Sequence, residues 1–229
     1  MSWIVTASGK RVDPLNVRPA DIEMGDVCHA LGNLCRFTGH SSRFYSVAEH
    51  CVRMVDWFFE RASTTPRLRL GALLHDAAEA YIGDISAPMK CRTLHVGVKG
   101  VYRAVRCAES GILDAIGERI GVPDLRTWTQ AQSIGWADLD MLRIEAAALM
   151  PDGGDGWECF AKLPKRLTAE QIERASALKD GNGEYWATAF ACRLDAILAD
   201  LPTTKLTSST AHRAVARKKK PKKARAAAR

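Results

Sequence analysis

Helical periodicity runs through almost the whole chain and is interrupted mainly by proline and glycine. Apolar residues recur three and four positions apart, which indicates amphipathic helices rather than strands. The breaks fall at GVPD, at PDGGDG and at Pro202, where helices are expected to end. This pattern predicts helices over 26–35, 46–60, 66–81, 95–120, 126–150 and 184–201, with one more after Thr168, a candidate N-cap.

The N-terminal stretch WIVTASGKRVD, residues 3–13, has a different pattern. A short apolar strand, a Ser-Gly turn and a second short strand predict a β-hairpin. The sequence therefore predicts an all-α fold with a small N-terminal β-hairpin.

The positive charge of the chain is concentrated at its C-terminus. The formal net charge is +7, but ten Lys and Arg residues and no acid lie between Lys205 and Arg229, which leaves 23 basic against 26 acidic residues elsewhere. Segment 204–229 lacks the apolar residues that a core needs, so we expect a folded domain over 1–203 and a disordered basic tail over 204–229. The tail could also contact nucleic-acid phosphates, weakly and less at high salt, but it offers no aromatic residue for base stacking.

The rest of the composition predicts a cytoplasmic protein with no membrane contact. No run of 18 apolar residues occurs, and the N-terminus lacks the basic-then-apolar layout of a signal peptide. The seven cysteines include no CxxC pair, so reduced thiols are expected rather than disulfides or a thiolate zinc site.

The stretch LRLGALLHDAAEAYIGD, residues 68–84, places ionisable groups at the end of an apolar helix. His75 and Asp76 are adjacent, and Glu79 and Asp84 follow. Burying such groups costs several kcal/mol unless each is paired or bound to a metal. An imidazole beside a carboxylate suits a divalent metal that takes nitrogen and oxygen ligands.

A second histidine ligand is expected from SVAEHCVRMVDWFF. Ser46 and Glu49 have the spacing of a capping box, so a helix begins at Ser46 and Glu49 is interpreted as a cap rather than a ligand. His50 falls in the first turn, at the edge of the apolar stripe of this helix.

A carboxylate ligand from another helix is expected from GWADLDMLRIEAAALM. Asp138 and Asp140 are the candidates. Arg143 offers Asp140 a salt-bridge partner, whereas Asp138 lies on an apolar stripe without a nearby base. The sequence therefore favours Asp138 and leaves Asp140 as the alternative.

These residues carry a family resemblance. His50, the pair His75-Asp76 and Asp138 resemble the H…HD…D signature of HD-domain metal-dependent phosphohydrolases. The stretches WIVTASGKRVDPLN, HALGNLCRFTGHSSRFYSVAEH and ALLHDAAEAYIGDISAPMK are similar to small bacterial and prophage proteins of the 5′-deoxynucleotidase type. The resemblance is close over residues 1–150 and loose over 151–203, and the tail has no counterpart.

The resemblance implies an HD-domain helical bundle and a role for each site residue. One divalent ion (Mn, Co, Zn or Mg) would be held by the four signature residues. Glu79 and Asp84 match the family's Glu-x₄-Asp acids, which assist proton transfer and hold the water, although Asp84 could also cap the end of its helix.

The family's substrate-binding residues are matched in the loop before His50. Arg36 and Phe37 match an Arg-aromatic pair whose aromatic is Trp in the family and packs on deoxyribose, so Phe37 is a departure that bears on sugar selectivity. His40 and Arg43 could also face a phosphate; for Arg43 ordinary loop hydrogen bonding is the competing interpretation.

The function that the resemblance implies is hydrolysis of a phosphate ester on a nucleotide. A metal would polarise the phosphoryl group and activate a water, removing phosphate from (deoxy)nucleoside 5′-monophosphates. The alternatives are a deoxynucleoside triphosphohydrolase that releases triphosphate, and a nucleic-acid-associated protein that acts through its tail. The family also implies a homodimer, although no apolar stripe identifies an interface.

Overall fold

The computed structural model describes residues 3–60, 64–87, 89–90, 99–164, 166–178 and 183–202. These residues are mostly helical, with one small two-stranded antiparallel sheet, so the predicted all-α class with a hairpin is confirmed. Both the predicted tail, 204–229, and the boundary assigned to it lie outside the described residues, and the division of the chain there stays a prediction.

The N-terminal hairpin consists of β1 (Ile4–Val5) and β2 (Arg11–Val12). Ile4 pairs with Val12 in an antiparallel register. Gly9 has a φ of +86°, a left-handed conformation that glycine adopts without strain, and this permits the tight turn. The backbone N–H and the hydroxyl of Ser8 both donate to Asp26, each at 2.7 Å, and attach the turn to the first helix.

The longer elements are helices, joined by short turns. They are α1 (Met24–Asn33), α2 (Val47–Met54), α3 (Pro66–Leu73), α4 (Glu79–Ile82), α5 (Lys99–Arg119), α6 (Leu125–Thr129), α7 (Gln132–Leu149), α8 (Ala169–Ala177) and α9 (Gly183–Asp200). Single 3₁₀ turns cover Pro19–Asp21, Phe37–Gly39 and Glu158–Phe160, and a wider π turn, Val55–Phe59, follows α2. Thr168 caps α8 reciprocally with Gln171, as its spacing predicts.

Two predicted helices are each divided in the structure. The helix expected over 66–81 ends at Leu73, passes through a turn and resumes as α4; the one expected over 126–150 becomes α6 and α7. The helix expected over 95–120 is observed from Lys99, and residues 95–98 lie outside the described part.

The hydrophobic core holds the site-bearing helices together. Helix α9 packs against α1, α2 and α3, while α7 packs against α2 and α8. Leu31, Met54, Leu70 and Phe190 are fully buried in this core, and each contributes roughly 1.5–3 kcal/mol of burial free energy. No helix in the described part of the chain combines the length and hydrophobicity needed to cross a bilayer.

Candidate metal centre

His50 is placed by the start of α2. The Ser46 hydroxyl accepts the Glu49 N–H at 3.0 Å, so Ser46 is the N-cap and α2 begins at Val47. His50 lies in the first turn and is fully buried. The Glu49 side chain does not return to the cap; Arg43 and Arg53 bind it at 2.6–2.9 Å, which excludes it as a ligand.

His75 and Asp76 lie in the turn between α3 and α4. Hydrogen bonds from Ala77 N–H to Leu74 O (3.1 Å) and from Glu79 N–H to Asp76 O (3.0 Å) span three residues rather than four. The predicted continuous helix is therefore wrong here, because the chain tightens after α3. The turn places the two side chains against α2.

Four side-chain atoms converge between α2, this turn and α7. His50 Nε2 lies 3.3 Å from His75 Nε2 and 3.3 Å from Asp138 Oδ1. His75 Nε2 lies 3.2 Å from Asp76 Oδ2 and 4.0 Å from Asp138 Oδ1, and His50 Nε2 lies 3.9 Å from Asp76 Oδ2. Such separations suit ligands that each lie about 2.0–2.2 Å from a shared cation.

The second nitrogen of each imidazole is directed away from the cluster. His50 Nδ1 lies 2.6 Å from Glu145 Oε1, and His75 Nδ1 lies 2.8 Å from the Ala72 carbonyl oxygen. Both partners are acceptors, so each Nδ1 carries the proton in the neutral ring. Each Nε2 then presents its lone pair to the cluster, as a metal-binding histidine does.

Asp138 rather than Asp140 approaches the histidines. Helix α7 turns Asp138 toward His50, and its carboxylate stays 45% exposed. The salt bridge predicted between Arg143 and Asp140 is not observed, because Arg143 donates to the Pro164 carbonyl oxygen instead.

Glu145 is a site residue that the sequence interpretation missed. Its buried carboxylate accepts the Tyr45 hydroxyl at 2.8 Å and Arg36 Nη2 at 3.2 Å, besides contacting His50. A usable signal was present, because Glu145 lies seven residues after Asp138 and so on the same face of α7.

Electrostatics favour a cation in this cluster. Burial opposes the ionisation of Asp76, but the charges of His75, His50 and Arg36 outweigh it and lower the pKa of the carboxyl group. Burial also opposes protonation of His75, yet the Asp76 carboxylate raises the pKa of the imidazole well above its usual value. Asp76 is thus favoured in its ionised form, which is the form of a carboxylate that binds a divalent cation.

Two groups of three candidate ligands share His75: His50, His75 and Asp138 form one, and Cys51, His75 and Asp76 form the other. The Cys51 sulfur lies 4.0 Å from His75 Nδ1, the nitrogen already bonded to Ala72. Burial raises the pKa of the Cys51 thiol, which disfavours the thiolate that binds metals. The histidine–aspartate group is therefore the better candidate.

Glu79 and Asp84 lie beside the cluster. Burial, with the charges of Asp76 and Asp84, raises the pKa of Glu79 to about 9. Its Oε2 is buried without a hydrogen-bond partner among the described residues, and its Oε1 lies 3.8 Å from Lys90 Nζ. Burial also raises the pKa of Asp84. Both shifts favour the protonated form of these carboxyl groups.

The predicted substrate-binding residues are placed at different distances from the cluster. Arg36 is in it, with Nη1 3.4 Å from Asp76 Oδ2. Phe37 is half-buried next to Arg36. His40 is exposed, and its imidazole makes no hydrogen bond with the part of the chain that the structure describes. Arg43 binds Glu49 and the carbonyl oxygens of Phe44 and Leu178, which agrees with the loop interpretation.

The fold and this site define a helical protein in which His50, His75 and Asp138 could hold a metal ion, with Asp76 in contact with both histidines. No family model matches the chain. It is 34% identical over 169 residues to the uncharacterized protein YfdR of Escherichia coli, an alignment that covers 72% of this chain and 82% of YfdR. It is also 35% identical over 149 residues to an uncharacterized protein of Rhodobacter capsulatus, covering 63% of this chain and 71% of that protein. The chain belongs to the family of YfdR.

Proposed function

We propose that this protein is a metal-dependent phosphohydrolase of the HD-domain type that removes phosphate from (deoxy)nucleoside 5′-monophosphates. The observation that carries the proposal is the convergence of two imidazole Nε2 atoms 3.3 Å apart, each of which lies 3.2–4.0 Å from an oxygen of Asp76 and from an oxygen of Asp138. Both Nδ1 atoms are hydrogen-bonded outward, which supports a metal-ligand set rather than a simple salt-bridge network.

The cluster would hold one divalent ion through His50, His75, Asp76 and Asp138. When bound, such an ion polarises a phosphoryl group and makes hydroxide available near neutral pH. Mn²⁺, Co²⁺, Zn²⁺ and Mg²⁺ all accept nitrogen or oxygen ligands, and the cluster does not distinguish them.

The remaining residues supply charge and proton transfer. Arg36 places a guanidinium beside Asp76, where it can bind a phosphoryl oxygen. Water attacks phosphorus, the bond from phosphorus to the 5′ oxygen breaks, and the leaving oxygen takes a proton. We assign Glu79, whose pKa is raised, as the donor of that proton, and Asp84 as the acceptor of the proton of the attacking water.

The small number of arginines available at the cluster favours a monophosphate substrate over the more highly charged triphosphate. Arg43 is engaged by Glu49, with Nη2 2.6 Å from Oε1, so it is not available to a phosphate chain. Arg36 alone of the loop arginines contacts the cluster. Deoxynucleoside triphosphate hydrolysis is kept as the alternative, because the two activities give different products.

The test is product analysis with a matched pair of variants. The full chain is incubated with each of the four metals and with ribo- and deoxynucleoside mono- and triphosphates, and the products are separated by chromatography. Asp138→Asn and Asp140→Asn make the same change two residues apart on α7; we expect the first to abolish release of nucleoside and phosphate and the second to retain it. Asp76→Ala should also be inactive.

Other outcomes would redirect the proposal. Release of inorganic triphosphate would replace the monophosphatase with the triphosphohydrolase. If no metal supports turnover of any nucleotide, the enzymatic proposal is wrong, and salt-dependent nucleic-acid binding by the tail becomes the function to test.

A further inference from the structure

Three aromatic side chains form a continuous cluster beside the candidate metal centre. The Phe37 and Trp157 ring centroids are 6.3 Å apart at an interplanar angle of 53°, and the Trp157 and Phe160 centroids are 5.5 Å apart at 13°. All three rings are only partly buried. The cluster therefore presents aromatic surface instead of filling the core.

Two loops are joined to build this cluster. Phe37 follows α1, whereas Trp157 and Phe160 follow α7. The Ser42 N–H donates to the Leu149 carbonyl oxygen at 2.8 Å and connects the first loop to the end of α7. This hydrogen bond holds the two loops next to each other, although the three rings come from loops and short 3₁₀ turns rather than from long helices.

The Trp157 indole is held in place by its own loop. Asp152 accepts the indole N–H at 3.2 Å and the Gly154 N–H at 3.0 Å. Gly154 has a φ of +80°, and a Cβ there would lie 2.8 Å from the Phe160 ring. The close approach of the backbone at Gly154 allows Phe160 to stack on one face of Trp157.

The backbone at Phe37 is strained. Phe37 and Thr38 have φ values of 56° and 53°, in the left-handed region that residues other than glycine rarely adopt. Such conformations persist where the surrounding structure enforces them, and they concentrate at binding and active sites. In this conformation the Phe37 ring lies beside Trp157, while the Arg36 side chain, one residue earlier, contacts the metal cluster.

The aromatic surface begins where the phosphate would be held. Arg36 Cζ lies 5.7 Å from the Phe37 ring centroid, and Arg36 Nη1 lies 3.4 Å from Asp76. A nucleoside 5′-monophosphate has the same order of parts, a phosphate at one end and a flat aromatic base at the other.

We propose that Trp157, which lies beyond Phe37 from Arg36, is the surface on which the base of the nucleotide substrate packs, so that Trp157 is a specificity-determining residue. This inference rests on the proposed phosphohydrolase function. Aromatic stacking accepts every base because each has a π face, so the site selects for the presence of a base and discriminates weakly among bases.

A pair of substrates that differ only in the base tests the inference. The full chain, with each of Mn²⁺, Co²⁺, Zn²⁺ and Mg²⁺ in turn, is assayed on a deoxynucleoside 5′-monophosphate and on 2-deoxyribose 5-phosphate, which lacks the base. We expect Trp157→Ala to lower kcat/KM for the nucleotide by about 10- to 100-fold and to leave the value for the sugar phosphate unchanged. Trp157→Phe, which keeps a smaller ring, should show an intermediate loss.

The control is Trp136→Ala, the same change at a tryptophan that is 58% exposed on α7; it should alter neither substrate. An equal loss on both substrates, or no loss on the nucleotide, would overturn the role of Trp157 and leave the phosphohydrolase intact. Failure of the unchanged protein to hydrolyse either substrate would overturn the proposed function and this inference with it.

Discussion

The carboxylate of Glu145 fixes the direction in which His50 faces. It is fully buried and lies 2.6 Å from His50 Nδ1, with Arg36 and Tyr45 on its other sides. Glu145→Gln leaves a neutral amide that cannot satisfy all three partners. We expect metal affinity to fall about 10- to 100-fold, as for other partners of ligating histidines. Titration of the metal-free protein with Co²⁺, followed by absorption or calorimetry, measures it.

The matched control for Glu145 is Glu49→Gln. Glu49 is also buried and also bound by arginines, but it contacts none of the four candidate ligands through its carboxylate. The Glu49→Gln variant should have a lower free energy of unfolding but an unchanged affinity for Co²⁺. Equal affinities for the two variants would contradict the positioning role of Glu145.

The ionisation of Glu79 is expected to limit activity at alkaline pH. Its pKa is raised to about 9, so the carboxyl group holds its proton at neutral pH and loses it as the pH rises. A bound cation would lower the pKa of Glu79, so the alkaline limb of the pH–rate profile is expected at or below about pH 9. A proton donor of this kind typically contributes 10²–10⁴-fold to the rate. Glu79→Gln should therefore lower kcat by about that factor and abolish the alkaline limb in a pH–rate profile; an unchanged limb would assign the titration to another group.

The residue pattern singled out His50, His75 and Asp76 and favoured Asp138 over Asp140, but it did not predict the surroundings of these side chains. His50, His75, Asp76 and Asp138 were identifiable because ionisable groups on apolar stripes require compensation. Glu145 was overlooked, because its place on the same helix face as Asp138 does not by itself distinguish a carboxylate buried against an imidazole from one facing solvent. Its burial depends on how α7 packs against α2, which is a tertiary property.

At the level of elements, the sequence predicted the helices better than their interruptions. The turn after α3 contains neither glycine nor proline, and LLHDAAEA reads as continuous helix. The break between α6 and α7 is similar, since Ala131 adopts an extended conformation (φ −60°, ψ 134°) in a sequence without a helix breaker. Local propensity is weak compared with packing, and here packing decides.

The packing of α3 on α6 leaves no space for a side chain at Gly71. A Cβ at that position would lie 2.7 Å from the carbonyl oxygen of Trp128, a backbone atom that cannot move without moving α6. We expect Gly71→Ala to destabilise the protein by about 1–3 kcal/mol through overpacking. Because α3 leads into His75, metal affinity should fall as well. Urea denaturation measures the free energy of unfolding.

Gly135→Ala is the control for this packing effect. Gly135 lies inside α7, and a Cβ there meets no atom within 4 Å. Alanine has the higher helix propensity, so this variant should be slightly more stable, by about 0.4–1 kcal/mol. If Gly71→Ala and Gly135→Ala had the same stability, the close approach of α3 to Trp128 would not make Gly71 sensitive to substitution.

At the scale of the whole molecule, the candidate ligands come from three segments far apart in sequence. Residues 50, 75–76 and 138 lie in α2, in the turn after α3 and in α7, and the unfolded chain does not hold them together. A cation bound by all four therefore binds the folded state and stabilises it by mass action. At a free metal concentration of 100 times Kd the gain is about 2.7 kcal/mol.

This coupling predicts a metal-dependent melting temperature. For a chain of this size the gain corresponds to a rise in Tm of about 5–11 °C, and chelation with EDTA should reverse it. Asp138→Asn removes one ligand from α7 and should lose most of the rise, whereas Asp140→Asn should keep it. A rise of the same size in both variants would show that the ion binds elsewhere. The absence of any rise for the unchanged protein would show that the convergence of His50, His75, Asp76 and Asp138 stabilises the fold through hydrogen bonds and ion pairs alone.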